Sequence, residues 1–309
     1  MLKTINYLAR DADKKKVSVF TFVLFISAPV WLPWINEHIV LGVGGTNVWH
    51  NATNICGRAV GIFAFYYAMK LVDEMVESGY MYIPSFKKGI GLSILFVLSL
   101  LAKPSFAQSF VPAFAILLLF YLIKSKGVFF REILCFGAIA ILPLIKLGTQ
   151  FMHYFSTAPG EEGLNTLKSG EGIVVILPQM QDVISICENQ VLILFFPITM
   201  LVALIMSKRG LDRYHAITWM MVGFGLTYIL TLKGAARGEM GWAYYIAAFM
   251  AYMVGIRDYV SMFYSGQIDN SSNRKTRIFY VISTIALIEQ FVVGVFYLYR
   301  LIILGETIF

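Results

Sequence analysis

Residues 90–121 read IGLSILFVLSLLAKPSFAQSFVPAFAILLLFY, an apolar run with one charged residue, Lys103, near its middle. A proline follows that lysine directly, and Pro104 interrupts a helix because it lacks a backbone N–H. Four basic residues flank the run at its two ends: Lys87, Lys88, Lys124 and Lys126. Basic residues favour the cytoplasmic side of a membrane. The run is therefore predicted to cross outward and return, with Lys103 at the tip of a helical hairpin.

The length of this hairpin predicts the surroundings of Lys103. Its first limb, 90–102, would be about 20 Å long, whereas the hydrocarbon core of a bilayer is about 30 Å thick. The tip is therefore expected in a cavity below the outer surface, where a lone lysine needs an anion or water. The alternative is that Lys87 and Lys88 snorkel, so that the limb is longer and Lys103 reaches the headgroups.

The composition of the chain is that of a membrane protein. Of its 309 residues, 58% are hydrophobic and 14% are charged, whereas soluble domains carry about 25% charged residues. The mean hydropathy is +0.72. We predict an all-α polytopic bundle of about nine spans: 17–35, 55–72, 88–102, 105–123, 130–147, 189–207, 214–232, 240–257 and 278–304.

The distribution of basic residues predicts the orientation of the bundle. Eighteen of the 25 Lys and Arg residues fall in the N-terminal segment and in every second connection. This bias places the N-terminus inside and the C-terminus outside. The whole chain, 1–309, is predicted to be a single transmembrane domain. Its predicted outer loops are about 36–54, 148–188 and 233–239, and its long cytoplasmic loop is about 258–277.

Several kinds of site have no support in the sequence. The three cysteines are scattered and form no CxxC pair. Walker, HExxH and GxSxG motifs are absent. No cofactor is firmly implied, and a divalent metal stays possible although no ligand cluster is visible. The net charge of +7 reflects membrane topology rather than a nucleic-acid partner.

The predicted outer loops carry the candidate binding residues. Loop 36–54 holds Glu37, Trp49, His50 and Asn51, and such side chains bind sugars by stacking and hydrogen bonding. The stretch 233–242 places Lys233, Arg237 and Trp242 before a helix, an arrangement that suits phosphate. The alternatives are an ordinary interfacial loop for the first stretch and a basic outer loop for the second. Loop 148–188 is read as a lid, an interfacial helix or a solvated loop.

One carboxylate is predicted inside the bilayer. Glu289 lies near the middle of the last span, beside Gln290. An ionisable residue at that depth is a candidate functional site, for example for proton coupling. The alternative is a protonated carboxyl group that hydrogen-bonds to a neighbouring helix.

Three stretches resemble a known family. They are NVWHNAT at 47–53 followed by GRAVGIFAFYYAMKL at 57–71, LSLLAKPSFAQSFVPAFAILLL at 98–119, and GEMGWAYYIAAFM at 238–250. They are similar to the WHNPT, KPSF and GNFxWGY patterns of bacterial polytopic membrane proteins. Those proteins resemble the GT-C class of glycosyltransferases, which use polyprenyl-phosphate-linked sugars outside the cytoplasmic membrane. The matching positions are Trp49, His50, Asn51, Thr53, Lys103, Pro104, Ser105, Gly238, Gly241 and Trp242.

The resemblance implies a function in surface-polysaccharide or glycolipid assembly. Lys103 and Arg237, with Lys233, would hold the donor phosphate, and His50 and Asn51 would orient donor or acceptor. The partners would be the bilayer, a polyprenyl-phosphate-linked sugar and a glycan or lipid acceptor, at the bacterial cytoplasmic membrane. Glu37 would be the general base.

Departures from the pattern keep other functions open. Ala52 replaces a proline, and the first outer loop has Glu37 but no aspartate, although GT-C enzymes usually carry an acidic catalytic residue there. We expect that spans with that residue precede this chain or are encoded elsewhere. The alternatives are a complete nine-span protein with another role, a flippase or transporter of lipid-linked oligosaccharides, and a non-catalytic subunit of a membrane complex.

Overall fold

The computed structural model describes residues 14–28, 30, 52–78, 84–156, 190–208, 210–231, 241–264 and 274–304. These segments are helical and contain no strand, which confirms the all-α class. Their helices are α1 (Lys14–Ile26), α2 (Ala52–Ser78), α3 (Phe86–Ala102), α4 (Ser105–Lys124), α5 (Phe130–Ser156), α6 (Phe195–Met206), α7 (Arg213–Thr231), α8 (Trp242–Tyr264) and α9 (Arg274–Ile303).

Three stretches of helix are long and apolar enough to cross a membrane: Ser105–Lys124, Phe130–Gln150 and Arg274–Arg300. Each of the nine predicted spans overlaps one helix, but α1 and α6 have only 13 and 12 residues. A straight crossing takes about 20 residues. The nine-span count and the orientation of the termini therefore stay predictions.

The helices form two compact units. Unit 1 comprises Met1–Ala52, Gln179–Val222 and Tyr245–Phe309, and unit 2 comprises Thr53–Pro178 and Gly223–Tyr244. In unit 1, α9 packs against α6 and α1. In unit 2, α3 packs against α5 and α4, around stacked and tilted rings of Phe96, Phe106 and Phe110.

The predicted break in the long apolar run is confirmed at Lys103. Lys103 is extended, with φ −168° and ψ 130°, because the ring of a following proline excludes the helical conformation. Its N–H still donates to the Ser99 carbonyl at 2.9 Å and closes the last turn of α3. Pro104 then starts α4, where a missing N–H costs no helical hydrogen bond.

Two tyrosines compensate for prolines inside or near helices. Pro112 in α4 cannot donate to the carbonyl of Gln108, and the Tyr228 hydroxyl donates to it instead at 3.1 Å. Residues 190–193 are helical too and lead into α6 through a turn at Leu194. Pro197 therefore leaves the Ile193 carbonyl without its helical donor, and the Tyr252 hydroxyl fills that place at 2.7 Å. A carbonyl without a donor costs several kcal/mol in an apolar interior, so these bonds make the prolines tolerable.

Several helices extend beyond the predicted spans. α8 continues to Tyr264 although its span was predicted to end at Arg257, where the sequence turns charged. The helix continues because those charges are neutralised by side chains of unit 1 and because Tyr259, Val260 and Met262 remain buried. α5 reaches Ser156, and α3 begins at Phe86, so both enter the predicted loops.

Replacement of Tyr252 by phenylalanine should measure the proline compensation. Tyr252→Phe removes the donor to Ile193 and the acceptor of the Gln290 amide, and both groups are buried. We expect a loss of about 1–3 kcal/mol of stability, measured by thermal unfolding of the detergent-purified chain. The loss should shrink in a Pro197→Ala background, where residue 197 regains its N–H. Tyr299→Phe, at a half-exposed tyrosine of α9, is the control. Equal losses in both backgrounds would contradict this role.

Candidate functional site

Two residues that the sequence singled out separately meet in unit 2. The Nζ atom of Lys103 lies 4.3 Å from the ring centroid of Trp242, the first residue of α8. Such a contact is a cation–π interaction. The lysine is only 4% exposed, so it is not the exposed headgroup anchor of the alternative interpretation.

The first turns of α2 pack closely on this break. A Cβ atom at Gly57 would lie 3.2 Å from Lys103 Cβ, and one at Gly61 would lie 3.0 Å from the Phe106 ring. One turn further, Phe65 meets Phe110 with ring centroids 6.0 Å apart. The contacts advance together along both helices, so α2 and α4 run in the same direction. We name this packed face the α2–α4 seam.

The residues around the break are polar although they are buried. Ser99 and Ser105 are fully buried, and neither hydroxyl has a hydrogen-bond partner among the residues that the structure describes. Arg58, which follows Gly57, is 2% exposed. Buried hydroxyls normally have partners, so unsatisfied ones mark a place where a further polar group can bind. We refer to Arg58, Ser99, Lys103, Ser105 and Trp242 as the Lys103 cluster.

An apolar groove leads to this cluster. It lies between α3, α4 and α5, has a volume of about 410 Å³, and is lined only by apolar residues and glycine. Leu100, Ala107 and Leu147 line one end of it. Leu100 and Ala107 stand within about one helical turn of Lys103 on either side in the sequence. The groove can hold a hydrocarbon chain whose polar end would meet the Lys103 cluster.

A second group of charged residues lies in unit 1. The Arg257 guanidinium contacts Asp212 Oδ2 at 2.6 Å and Asp258 Oδ1 at 2.7 Å. The ring of His215 lies between the same two acids, with Nδ1 2.7 Å from Asp212 Oδ1 and Nε2 2.8 Å from Asp258 Oδ2. These four residues form the Asp212 cluster.

The Asp212 cluster is electrically balanced. Both nitrogens of His215 face carboxylate oxygens, and only an imidazolium ring donates from both. Partial burial acts to raise the pKa of Asp212, but the hydrogen bond from His215 and the charge of Arg257 outweigh it and hold that pKa well below its usual range. Asp212 Oδ1 also accepts the N–H groups of Tyr214 and His215, as an N-cap does. The cluster therefore ties the start of α7 to the end of α8.

The intramembrane acid predicted from the sequence has a neighbour with a clearer structural role. Glu289 is partly buried on α9. Gln290 is fully buried and donates to the Tyr252 hydroxyl, which in turn donates to the carbonyl of Ile193. The hydrogen-bonded tie between α9, α8 and the residues before α6 thus passes through the amide, and a functional role for Glu289 stays a prediction.

The structure describes some of the predicted site residues and not others. It brings Lys103, Ser105 and Trp242 into unit 2. The remaining predicted residues of the outer loops lie outside the described residues: Glu37, Trp49, His50, Asn51, Lys233 and Arg237. Within the described segments, no group of three or more His, Cys, Asp or Glu residues is placed to hold a metal ion.

Six residues of these clusters were missed in the sequence, and one of them is Ser99, a serine within an apolar run. Arg58 interrupts an apolar span, which is itself a signal for a functional cation. The other four belong to the Asp212 cluster. The Asp212 carboxylate precedes a helix as N-caps do, and Arg257 and Asp258 adjoin an apolar run. No local pattern pairs residues that lie more than forty positions apart in the chain, as Asp212 and Arg257 do.

Comparison with protein-family models, with curated proteins and with solved structures finds no match to this chain. The function is therefore inferred from the site itself.

Removal of Arg257 should destabilise unit 1. Arg257→Met leaves the buried Asp258 carboxylate without its guanidinium partner, and the loss of one partner of a buried ion pair costs about 3–5 kcal/mol. We expect a lower midpoint of thermal unfolding in detergent. Arg274→Met, at an exposed arginine at the start of α9, should change the midpoint little. If both variants unfold at the wild-type temperature, the Asp212 cluster does not hold α7 to α8.

Proposed function

We propose that this chain is a membrane glycosyltransferase-like protein that transfers a sugar from a polyprenyl-phosphate donor. The reaction would take place at the outer face of a bacterial cytoplasmic membrane, in surface-polysaccharide or glycolipid assembly. The observation that carries the proposal is the position of the Lys103 cluster, with its buried cation and unsatisfied hydroxyls, beside the end of an apolar groove.

The two regions suit the two parts of a lipid-linked sugar. An isoprenoid chain is a branched hydrocarbon, and the groove between α3, α4 and α5 offers only apolar side chains and glycine. A phosphate needs cations and hydrogen-bond donors, which Lys103 and the hydroxyls of Ser99 and Ser105 provide. A soluble nucleotide sugar has no hydrocarbon chain that could fill the groove.

Positioned cations also favour the chemical step. When the bond between the sugar and the phosphate breaks, negative charge develops on the phosphate oxygen. The ammonium of Lys103 is held by the Trp242 ring before the reaction, so it can stabilise this charge without reorganisation. The proposed roles of the outer-loop residues complete the reaction: Lys233 and Arg237 on the phosphate, His50 and Asn51 on donor or acceptor, and Glu37 as general base.

The proposal includes the topology that the sequence predicts. Nine spans with the N-terminus inside and the C-terminus outside would put the break at Lys103 near the outer surface. A lipid-linked donor would then reach the cluster laterally from the bilayer.

Replacement of Lys103 tests the proposal. Charge-assisted contacts are worth about 1.5–3 kcal/mol each, so Lys103→Met should weaken the binding of undecaprenyl phosphate by roughly 10- to 150-fold at about 1.4 kcal/mol per decade. Lys103→Arg should be only partly tolerated, because the larger planar guanidinium takes the place of a compact point charge at a buried position. Binding can be followed by tryptophan fluorescence of the detergent-purified chain.

A lysine of the same unit provides the control. Lys124 lies exposed at the opposite end of α4, and Lys124→Met should bind undecaprenyl phosphate as the wild type does. If Lys103→Met folds normally and binds the lipid with wild-type affinity, Lys103 does not hold the phosphate and the proposal loses its main support.

A further inference from the structure

We propose that Arg58 is the second cation of the Lys103 cluster and that the pair recognises a lipid-linked diphosphate rather than a monophosphate. The inference rests on the proposed function, since it names the chemical class of donor for the same site. Arg58 is not among the residues that the family resemblance assigns to the site, although it lies in the stretch that follows NVWHNAT.

The α2–α4 seam places Arg58 at the level of Lys103. Phe65 packs against Phe110, and Arg58 and Lys103 each lie seven residues before those rings. Because the two helices run in the same direction, seven residues back along each leads to the same level, about 10 Å from the ring pair. The contact between Gly57 and Lys103 Cβ marks that level independently.

The direction of the Arg58 side chain follows from the same helix. Residues seven apart in an α-helix project from nearly the same face. Phe65 points toward α4, so Arg58 also projects toward the side on which α4 begins. Its exposure of 2% agrees with an inward direction. Arg58 is therefore a buried cation on the side of α2 that faces the start of α4, where the Ser105 hydroxyl is also buried.

The chemistry of the two cations differs in a way that suits two linked phosphates. The guanidinium of arginine is a planar fork that binds two phosphoryl oxygens at once, whereas the ammonium of lysine is a compact point charge. Each can form a charge-assisted hydrogen bond to one phosphoryl group. A sugar on a lipid monophosphate carries one negative charge, and a sugar on a lipid diphosphate carries two. The pair of buried cations therefore offers one cation to each phosphoryl group of a diphosphate.

The experiment compares two short isoprenoid probes on the full-length chain in detergent. Farnesyl monophosphate and farnesyl diphosphate share one hydrocarbon chain and differ by one phosphate. The wild type should bind the diphosphate more tightly by about tenfold or more, because one additional charge-assisted contact is made. Arg58→Met should weaken diphosphate binding by roughly 10- to 150-fold and leave monophosphate binding, which depends on Lys103, nearly unchanged.

Two further variants keep the test decisive. Arg58→Lys preserves the charge and should retain part of the diphosphate preference, which guards against a folding defect in Arg58→Met. Arg131→Met, at an exposed arginine of α5, should leave the affinity for both probes unchanged.

The outcomes separate the inference from the proposed function. If the wild type binds both probes equally, or if Arg58→Met weakens both in the same proportion, the diphosphate assignment is wrong while a lipid-phosphate site remains. If the wild type binds neither probe, the proposed function falls and the inference falls with it.

Discussion

The close approach of α2 to the start of α4 is the contact on which the candidate site depends. Gly57 and Gly61 have no side chains, so the backbone of α2 can lie against Lys103 and Phe106. A Cβ atom at Gly57 would press on Lys103 Cβ at 3.2 Å, and one at Gly61 would press on the Phe106 ring at 3.0 Å. The seam therefore buries Lys103 and brings Arg58 to its level, although the two residues lie 45 positions apart in the chain.

Both units contain prolines that leave a backbone carbonyl without its helical donor, and in each unit a tyrosine hydroxyl donates to that carbonyl instead. Pro104 ends one helix and starts the next without loss, because the first turn of a helix needs no donor at that place. Pro112 and Pro197 each deprive a carbonyl of its helical partner, and a distant tyrosine hydroxyl replaces it in both cases. These bonds fix irregular backbone inside apolar surroundings, which an unsatisfied carbonyl would not permit. They also tie together helices that are far apart in sequence.

The sequence predicted the features that depend on local chemistry. The helical class followed from hydrophobicity, and the break at Lys103 followed from a charged residue before a proline. The pairing of Lys103 with Trp242, 139 positions later, could not be predicted in this way, and the family resemblance only placed both residues in one site. The position of Arg58 beside Lys103 depends on the register of α2 against α4. The packing of Gly57 and Gly61 sets that register, and the periodicity of hydrophobic residues does not reveal it.

The register of the α2–α4 seam is the central structural claim, and disulfide cross-linking tests it directly. A Cβ atom at position 61 would lie 3.4 Å from the Cβ atom of residue 106. This is close to the Cβ–Cβ distance of about 3.5–4.5 Å in a disulfide. With the native cysteines replaced, the pair Gly61→Cys and Phe106→Cys should cross-link in membranes under mild oxidation. The pair Phe63→Cys and Phe106→Cys should not, because Phe63 is 46% exposed on another face of α2. Cross-linking of the second pair but not the first would contradict the register and the cluster built on it.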